Sequence, residues 1–283
     1  MASIPPAESL ALEEHGKFLS GYASARVFFT YYKCGDCEAL YCPTYYSHEQ
    51  LDQLYSRQAE NMAEVPLAAR LRTQEAYSKP LMLYSRMAGG FLEIGSDIGL
   101  FAETCARAGA FEHFWLYEPN SEVHDQLAHR FQHRSFTIRS ANFTSADVPA
   151  GSVSTAVMIH VLDHLLDPGR ILREIYRSLE PRGVLFVVTH NAQSLLARML
   201  ARRWPPFTLQ HPHLFSPRSI KMLLTRCGFE TVEIADTLNY FPATYLLRAA
   251  FTVLGIKLHF IPDWEWPMLG LKLGNIAAIA RKP

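Results

Sequence analysis

Residues Phe91-Leu92-Glu93-Ile94-Gly95-Ser96-Asp97-Ile98-Gly99 constrain this chain more than any other stretch. A short apolar run ends near an acidic residue, passes through a glycine turn and enters a helical pattern from Leu100 to Ala108, closed by Gly109. Buried strand, tight turn and helix in that order make half of a βαβ unit, so a mainly parallel sheet is expected. Glycines let the backbone bend sharply and approach a ligand, and free N–H groups at the helix start are expected to face it. Glu93 bears on the ligand's charge. It would repel a pyrophosphate and welcome an ammonium or a sulfonium, which favours S-adenosylmethionine (SAM) over a dinucleotide. The spacing Glu-x-Gly-x-x-x-Gly also departs from the Gly-x-Gly-x-x-Gly of dinucleotide sites. An ordinary strand-to-helix turn remains an alternative at this point.

A second carboxylate sits where an adenosine would need it. The next apolar run, Phe114-Trp115-Leu116-Tyr117, ends on Glu118. A carboxylate at the tip of the second strand, about 20 residues after the last glycine, is placed to accept both ribose hydroxyls. Dinucleotide enzymes use the same device, so Glu118 speaks for adenosine only. A third apolar segment, Phe136-Thr137-Ile138, leads to Asn142-Phe143, an amide for the adenine edge and a ring for its face.

With 283 residues and 49% hydrophobic content, the chain can bury one large core plus flanking elements. Lys+Arg and Asp+Glu both number 27, which gives no overall basic footprint, and no nucleic-acid partner is expected. Five cysteines, an odd and mostly unclustered set, make no disulfide framework. Met1 to Phe18 has no apolar signal core, and the longest apolar candidate, Ala243 to Ile261, is broken by Arg248, Lys257 and His259. A cytoplasmic protein with no transmembrane segment is expected.

From about residue 81 to 235, short apolar strands alternate with helical patterns. Asp167-Pro168 and Ser216-Pro217 each read as an N-cap followed by proline at the first helical position. Strands are expected over Val184–Val188, Phe229–Ile234 and Asn275–Ala280. The expected divisions are a flanking region over 1–80, a cofactor-binding core over 81–191, and 192–283 with the last strands and a substrate-side insertion. The first flank holds an aromatic-rich piece (Tyr22, Phe28, Phe29, Tyr31, Tyr32, Tyr41, Tyr45, Tyr46) and then a polar helical stretch from Leu51 to Ala76. The partly amphipathic segment Tyr245–Phe260 could cover the substrate site, meet a membrane surface or make a homodimer contact. Packing on its own domain is the plainer expectation.

These motifs together resemble class I SAM-dependent methyltransferases, specifically the small-molecule group with a type 11/12 core, over roughly residues 91–235. Phe91 to Gly99 is similar to that family's first motif and Tyr117-Glu118-Pro119 to its second. Ala141-Asn142 stands where the family has Gly-Asp, and Pro149 to Ser154 where it has Pro-Asp-Gly-Ser-Phe-Asp. His160-Val161-Leu162-Asp163-His164-Leu165-Leu166-Asp167-Pro168 resembles the stretch after the fourth strand. Thr189-His190-Asn191, Arg203-Trp204-Pro205, His213-Leu214-Phe215-Ser216-Pro217 and Cys227-Gly228-Phe229-Glu230 follow a pattern common in the group.

The resemblance implies an α/β fold, a Rossmann-like seven-stranded sheet with helices on both faces. It implies SAM as cofactor, S-adenosylhomocysteine as product, and cofactor contacts from Glu93, Gly95, Ser96, Asp97, Gly99, Glu118, Pro119, Asn142, Phe143 and His160. The family's middle glycine is Asp97 here, a residue that tolerates the left-handed backbone better than most. Asn142 replaces an aspartate, losing a charge and keeping an acceptor. Cys34-Gly35-Asp36-Cys37, with Cys42 nearby, resembles half of a zinc ribbon; no earlier cysteine pair exists, so bound zinc is not expected.

Methyl transfer is an in-line displacement at an activated carbon. The protein has to align the nucleophile, exclude water and, for a hydroxyl, remove a proton. A histidine suits that last task. His160 and His164 flank the expected end of the fourth strand with Asp163 between them. On one helical turn the three would share a face, as a base oriented by a carboxylate or as ligands for a divalent ion. Cofactor-loop scaffolding is the plainer alternative, and no resident metal is expected. His213 joins them as a candidate base, and His190, Asn191, Trp204, His213 and Tyr240 are candidate substrate contacts, with Trp264 a further apolar wall. A small-molecule hydroxyl is the expected acceptor; transfer to nitrogen or carbon, and a non-catalytic SAM-binding scaffold, are the rivals.

Overall fold

The computed structural model describes residues 1–15, 27–56, 64–256 and 264–283. Its central sheet has seven strands: β1 (Ala88–Ile94), β2 (Ala110–Tyr117), β3 (Phe136–Arg139), β4 (Val153–Ile159), β5 (Leu179–His190), β6 (Glu230–Asp236) and β7 (Asn275–Arg281). Their spatial order is β3-β2-β1-β4-β5-β7-β6. Neighbours from β3 through β5 pair in parallel, while β7 runs antiparallel between β5 and β6. The order reverses between β1 and β4, where adjacent loops part and leave a crevice beyond the carboxyl ends. This is the expected Rossmann-like methyltransferase sheet.

Eight α-helices are described: α1 (His48–Ser56), α2 (Leu67–Tyr84), α3 (Leu100–Ala108), α4 (His124–Phe131), α5 (Pro168–Ser178), α6 (Leu195–Leu200), α7 (Pro217–Arg226) and α8 (Ala243–Leu254). Their starts follow the local chemistry. The Asp167 carboxylate accepts the Arg170 N–H at 2.8 Å to open α5, and Ser216 Oγ accepts the Ser219 N–H at 3.1 Å to open α7. Along β1, Phe91 packs with Phe101, Phe114 and Phe186 on one face, and Leu92 with Met158, Leu172 and Leu185 on the other. Helices cover both faces, so the strand reads as a buried run rather than an alternation.

The regions outside the sheet roof its carboxyl edge. α1 and α2 divide the helical stretch expected over 51–76; residues 57–63, like Tyr22, lie outside the described part. The division expected at residue 80 falls inside α2. Phe28, Phe29, Tyr31 and Tyr46 form a third core with Trp204, Phe207 and Leu214. Phe28 and Phe207 stack at 5.3 Å, and a ring of this size contributes about 3 kcal/mol when fully buried. A small antiparallel sheet of Tyr32–Lys33, Leu40–Tyr41 and His213–Leu214 fastens the two segments. The Tyr31 hydroxyl donates to the His211 carbonyl at 2.5 Å, and the Tyr45 hydroxyl donates to the Leu209 carbonyl.

No described helix is long and apolar enough to cross a membrane. α8 covers the described part of the Tyr245–Phe260 segment and packs beside Asn239–Pro242; residues 257–263 lie outside the described part. Trp264 and Trp266 are exposed, and Arg72 lies over the Trp266 ring at 5.0 Å. Trp264 is therefore no pocket wall, because its segment hangs on the surface hairpin rather than over the crevice.

Candidate functional site

Beyond the carboxyl ends of β1, β2 and β4 lies a cavity of two lobes, about 260 and about 230 Å³. Gly95, Asp97, Ile159, His160 and His164 stand in the walls of both, so the lobes meet there. Glu93, Ser96, His190, Trp204, His211 and Tyr240 line the first lobe. Glu118, Pro119, Asn142 and Phe143 line the second, with Gln210 and α1 residues such as Tyr55 opposite.

Glu93 ends β1 almost fully buried, and its Oε2 has no hydrogen-bond partner among the described residues. Burial pushes its carboxyl well above the usual range, partly offset by the Ala102 N–H and reinforced by the neighbouring Asp97 and Glu118. A buried carboxylate in that condition calls for an incoming cation. Glu118 is differently placed. It accepts the Asp97 N–H at 2.7 Å and the Asn120 N–H at 2.9 Å, one on each oxygen. Burial still raises its carboxyl, against those two donors. A carboxylate offers about four acceptor positions, so lone pairs remain on both oxygens for a diol. An ammonium-bearing ligand with a ribose fits these two residues.

The turn between them is built as the glycines require. Gly95, Asp97 and Gly99 have φ of 75°, 46° and 80°, so Asp97 adopts the left-handed backbone that glycine would take without strain. A Cβ at Gly95 would lie 2.3 Å from Val161 Cγ2. The N–H groups of the turn itself, ahead of the helix start, are taken up, however. Gly95 and Ser96 donate to the Tyr117 carbonyl at 2.7 and 3.1 Å, Asp97 to Glu118, and Gly99 to the Ser96 carbonyl at 2.8 Å. The parallel neighbour β2 consumes those donors because its tip lies alongside the turn. Gly99 lies outside both lobes; its missing Cβ leaves room for Leu127 of α4.

In the second lobe Phe143 meets Tyr117 edge-on at 5.0 Å. Asn142 is exposed and donates to Asp52 of α1 at 3.5 Å. Gln210, 1% exposed, has neither its amide oxygen nor its amide nitrogen paired among the described residues, an unspent donor and acceptor on the wall. Nothing in its sequence context set it apart.

Four histidines and one aspartate gather at the first lobe's inner wall. His160 follows β4 with φ of 53°, a left-handed conformation that redirects the chain into the short 3-10 turn Leu162–His164. That twist breaks the helical face on which His160, Asp163 and His164 were expected to align. Asp163, fully buried, turns instead to His190 at the end of β5, whose Nδ1 lies 2.5 Å from its Oδ2. Its other oxygen is 4.0 Å from His164 Nε2 and has no hydrogen-bond partner among the described residues. His164 Nε2 is 3.1 Å from His211 Nε2, and His164 Nδ1 is 2.9 Å from the Tyr55 hydroxyl. His211 Nδ1 lies 2.6 Å from the Pro206 carbonyl. His160 Nε2 is 3.4 Å from the Asn275 amide, and its Nδ1 is buried and unpaired.

Burial and the surrounding imidazoles hold His160 and His164 down to about 3, and burial holds His211 down to about 4. Burial alone would raise Asp163, yet the facing His190 and the other imidazoles hold it well below the usual carboxylate range. The Asp163 carboxylate thus lies against His190 and beside three further imidazoles, those of His160, His164 and His211, that burial holds below their usual range.

Two other expected residues stand apart. His213 lies outside both lobes, with Nε2 3.3 Å from the Leu166 carbonyl. Asn191 also lies outside them; its side chain accepts the Gln193 N–H at 2.9 Å and holds the loop after β5. His211, two residues before His213, is the histidine that reaches the lobe.

A family model described as a methyltransferase domain matches residues 59–234, more than half of the chain. A protein of Mycolicibacterium smegmatis named "probable S-adenosylmethionine-dependent methyltransferase" is 30% identical over 116 residues, 41% of this chain and 42% of that protein. The ubiquinone biosynthesis O-methyltransferase of Caulobacter vibrioides is 32% identical over 83 residues, 26% of this chain and 32% of that protein. The chain thus spans less than half the length of the curated relatives it matches. A crystal structure from Thermotoga maritima, described as a SAM-dependent methyltransferase and possible histamine N-methyltransferase, superposes with a TM-score of 0.50 at 19% identity. It covers 77% of this chain and 92% of that one, and it speaks for the fold alone. Matched over residues 59–234, the chain belongs to the methyltransferase-domain family.

Proposed function

We propose that this enzyme methylates a hydroxyl oxygen of a small molecule, with His190, aimed by Asp163, as the base. The observation that carries the reading is the 2.5 Å contact between His190 Nδ1 and Asp163 Oδ2 in the wall of the first lobe. An ionised carboxylate only accepts, so Nδ1 holds the proton and Nε2 keeps its lone pair. His160 and His164, held down to about 3, are weak bases at neutral pH. They serve as walls where the lobes join.

Bound SAM supplies a methyl group on a sulfonium centre already open to displacement. Glu93 takes its ammonium group, Glu118 its ribose hydroxyls, and Pro119, Asn142 and Phe143 surround its adenine. Gly95, Ser96 and Asp97 shape the floor between those carboxylates. Trp204 and Tyr240 bound the acceptor in the first lobe and exclude water from it. The test compares His190→Ala with the parent enzyme on a panel of phenols, catechols and sugars, reading release of S-adenosylhomocysteine. Turnover should fall by about 10²–10⁴-fold while calorimetric SAM affinity stays within about twofold. Undiminished turnover would sink the base assignment, and activity confined to amines would move the acceptor to nitrogen.

A further inference from the structure

The geometry points to a divalent-metal site of the zinc type formed by Asp163 Oδ1, His164 Nε2 and His211 Nε2, open towards the first lobe. One ligand atom from each of these three residues lies within 4.8 Å of the others; Asp163 Oδ1 is 4.0 Å and His211 Nε2 3.1 Å from His164 Nε2. His164 and His211 both line the lobe, so a fourth position faces the space given above to the acceptor. The residues come from two separate segments, the turn after β4 and the loop before His213–Leu214. Neither segment's sequence displays the set.

Counting protons shows why a cation belongs there. The Pro206 carbonyl can only accept, so its 2.6 Å contact fixes the proton of neutral His211 on Nδ1 and leaves Nε2 bare. That bare nitrogen faces His164 Nε2 at 3.1 Å. Suppose His164 donates from Nδ1 to the Tyr55 oxygen, 2.9 Å away. Two lone pairs then oppose each other beside a carboxylate oxygen. Suppose instead that His164 carries its proton on Nε2 and donates to His211. Asp163 Oδ1, fully buried, is still left without a hydrogen-bond partner among the described residues. Neither tautomer of neutral His164 satisfies all three atoms. One divalent ion does, with His211 Nδ1–H on a backbone carbonyl and His164 Nδ1–H on a tyrosine hydroxyl as the outer hydrogen bonds that metal-bound histidines make.

The spacings suit such an ion. Bonds of about 2.0–2.2 Å in a tetrahedron set ligand atoms roughly 3.3 Å apart. The 3.1 Å pair is already there, and the 4.0 Å separation of Asp163 Oδ1 from His164 Nε2 closes with a small side-chain rotation. Two imidazoles and one carboxylate with an open position select zinc, cobalt(II) or iron(II) over magnesium. Asp163 Oδ2 stays on His190, so the site does not depend on the proposed base.

The experiment uses the full chain with Cys34→Ser and Cys37→Ser, which removes a cysteine pair that could also take up the ion; binding through His160, Asp163 and His190 instead would leave the His211 variants unaffected. Chelator-treated protein is titrated with cobalt(II), and binding is read by visible absorption and by metal content after desalting. One ion per chain with an intense low-symmetry visible band is expected. His211→Ala, and the gentler His211→Gln should the first fail to fold, should weaken binding at least about tenfold, while His213→Ala leaves it unchanged. Less than a tenth of an equivalent bound, or equal affinity in the folded His211 variants, would overturn the site and leave a proton shared between His164 and His211. That failure leaves the His190 result standing.

Discussion

Glu93 and Asp163 are both buried carboxylates near the tips of neighbouring parallel strands, yet the fold treats them in opposite ways. Glu93 has an unpaired oxygen and like charges nearby, and its carboxyl is pushed well above the usual range. Asp163 sits among imidazoles and is held well below it. Burial alone therefore does not decide the charge of such a group; the partners that the chain supplies decide it. One oxygen of Asp163 receives its counterpart from the fold itself, His190, whereas Glu93 meets no cationic side chain among the described residues. Each keeps one oxygen unpaired among those residues.

Substitution should separate the two most sharply at Asp163. Asp163→Ala strips the His190 Nδ1–H of its acceptor, and urea unfolding should show a loss of about 2–3 kcal/mol. Glu93→Gln should have the opposite sign. It removes a desolvated charge and should raise ligand-free stability by about 1 kcal/mol while abolishing the thermal shift given by SAM. Equal signs for the two substitutions would break the comparison.

The pH dependence sharpens it further. The folded value of Glu93 lies above its unfolded one, so the folded chain holds an extra proton between them. Its contribution to stability is present below the unfolded value, near 4.5, and is lost as pH rises through the raised folded value. SAM binding runs the other way, strengthening over the same window as the carboxylate ionises. Melting curves with and without SAM should therefore diverge with rising pH in the parent and stay parallel in Glu93→Gln. The smallest effect is expected at Asp97→Gly, which relieves a left-handed backbone by about 1 kcal/mol and should leave SAM affinity nearly unchanged by calorimetry.

The same contrast explains what could be read from the sequence. Glu93, the turn after it and Glu118 are local: apolar runs end near them and glycines mark the bend, so strand, turn and helix were all legible. The limits of α3 from Leu100 to Ala108 were legible too. The use of the turn's own donors was not legible, because the tip of β2, a neighbour in space, takes them up. The histidine cluster is non-local. Its members come from residues 160–164, 190 and 211, and a single left-handed residue, His160, redirects Asp163 from its sequence neighbours to His190. A backbone twist of that kind leaves no compositional mark, and nothing local in the sequence singled out His211, which lines the lobe, from His213, which does not.

The tyrosines that hold the backbone of Leu209 and His211 come from the other end of the chain, Tyr31 and Tyr45. The roof beyond the carboxyl edge of the sheet is thus upholstered from two distant stretches. On the proposed function, grafting a different roof would change the clientele of acceptors and leave the cofactor cradle as it is. Residues 27–46 and 204–214 must then travel as one cassette, since either transplanted alone would arrive without the hydroxyls or carbonyls it was cut to meet.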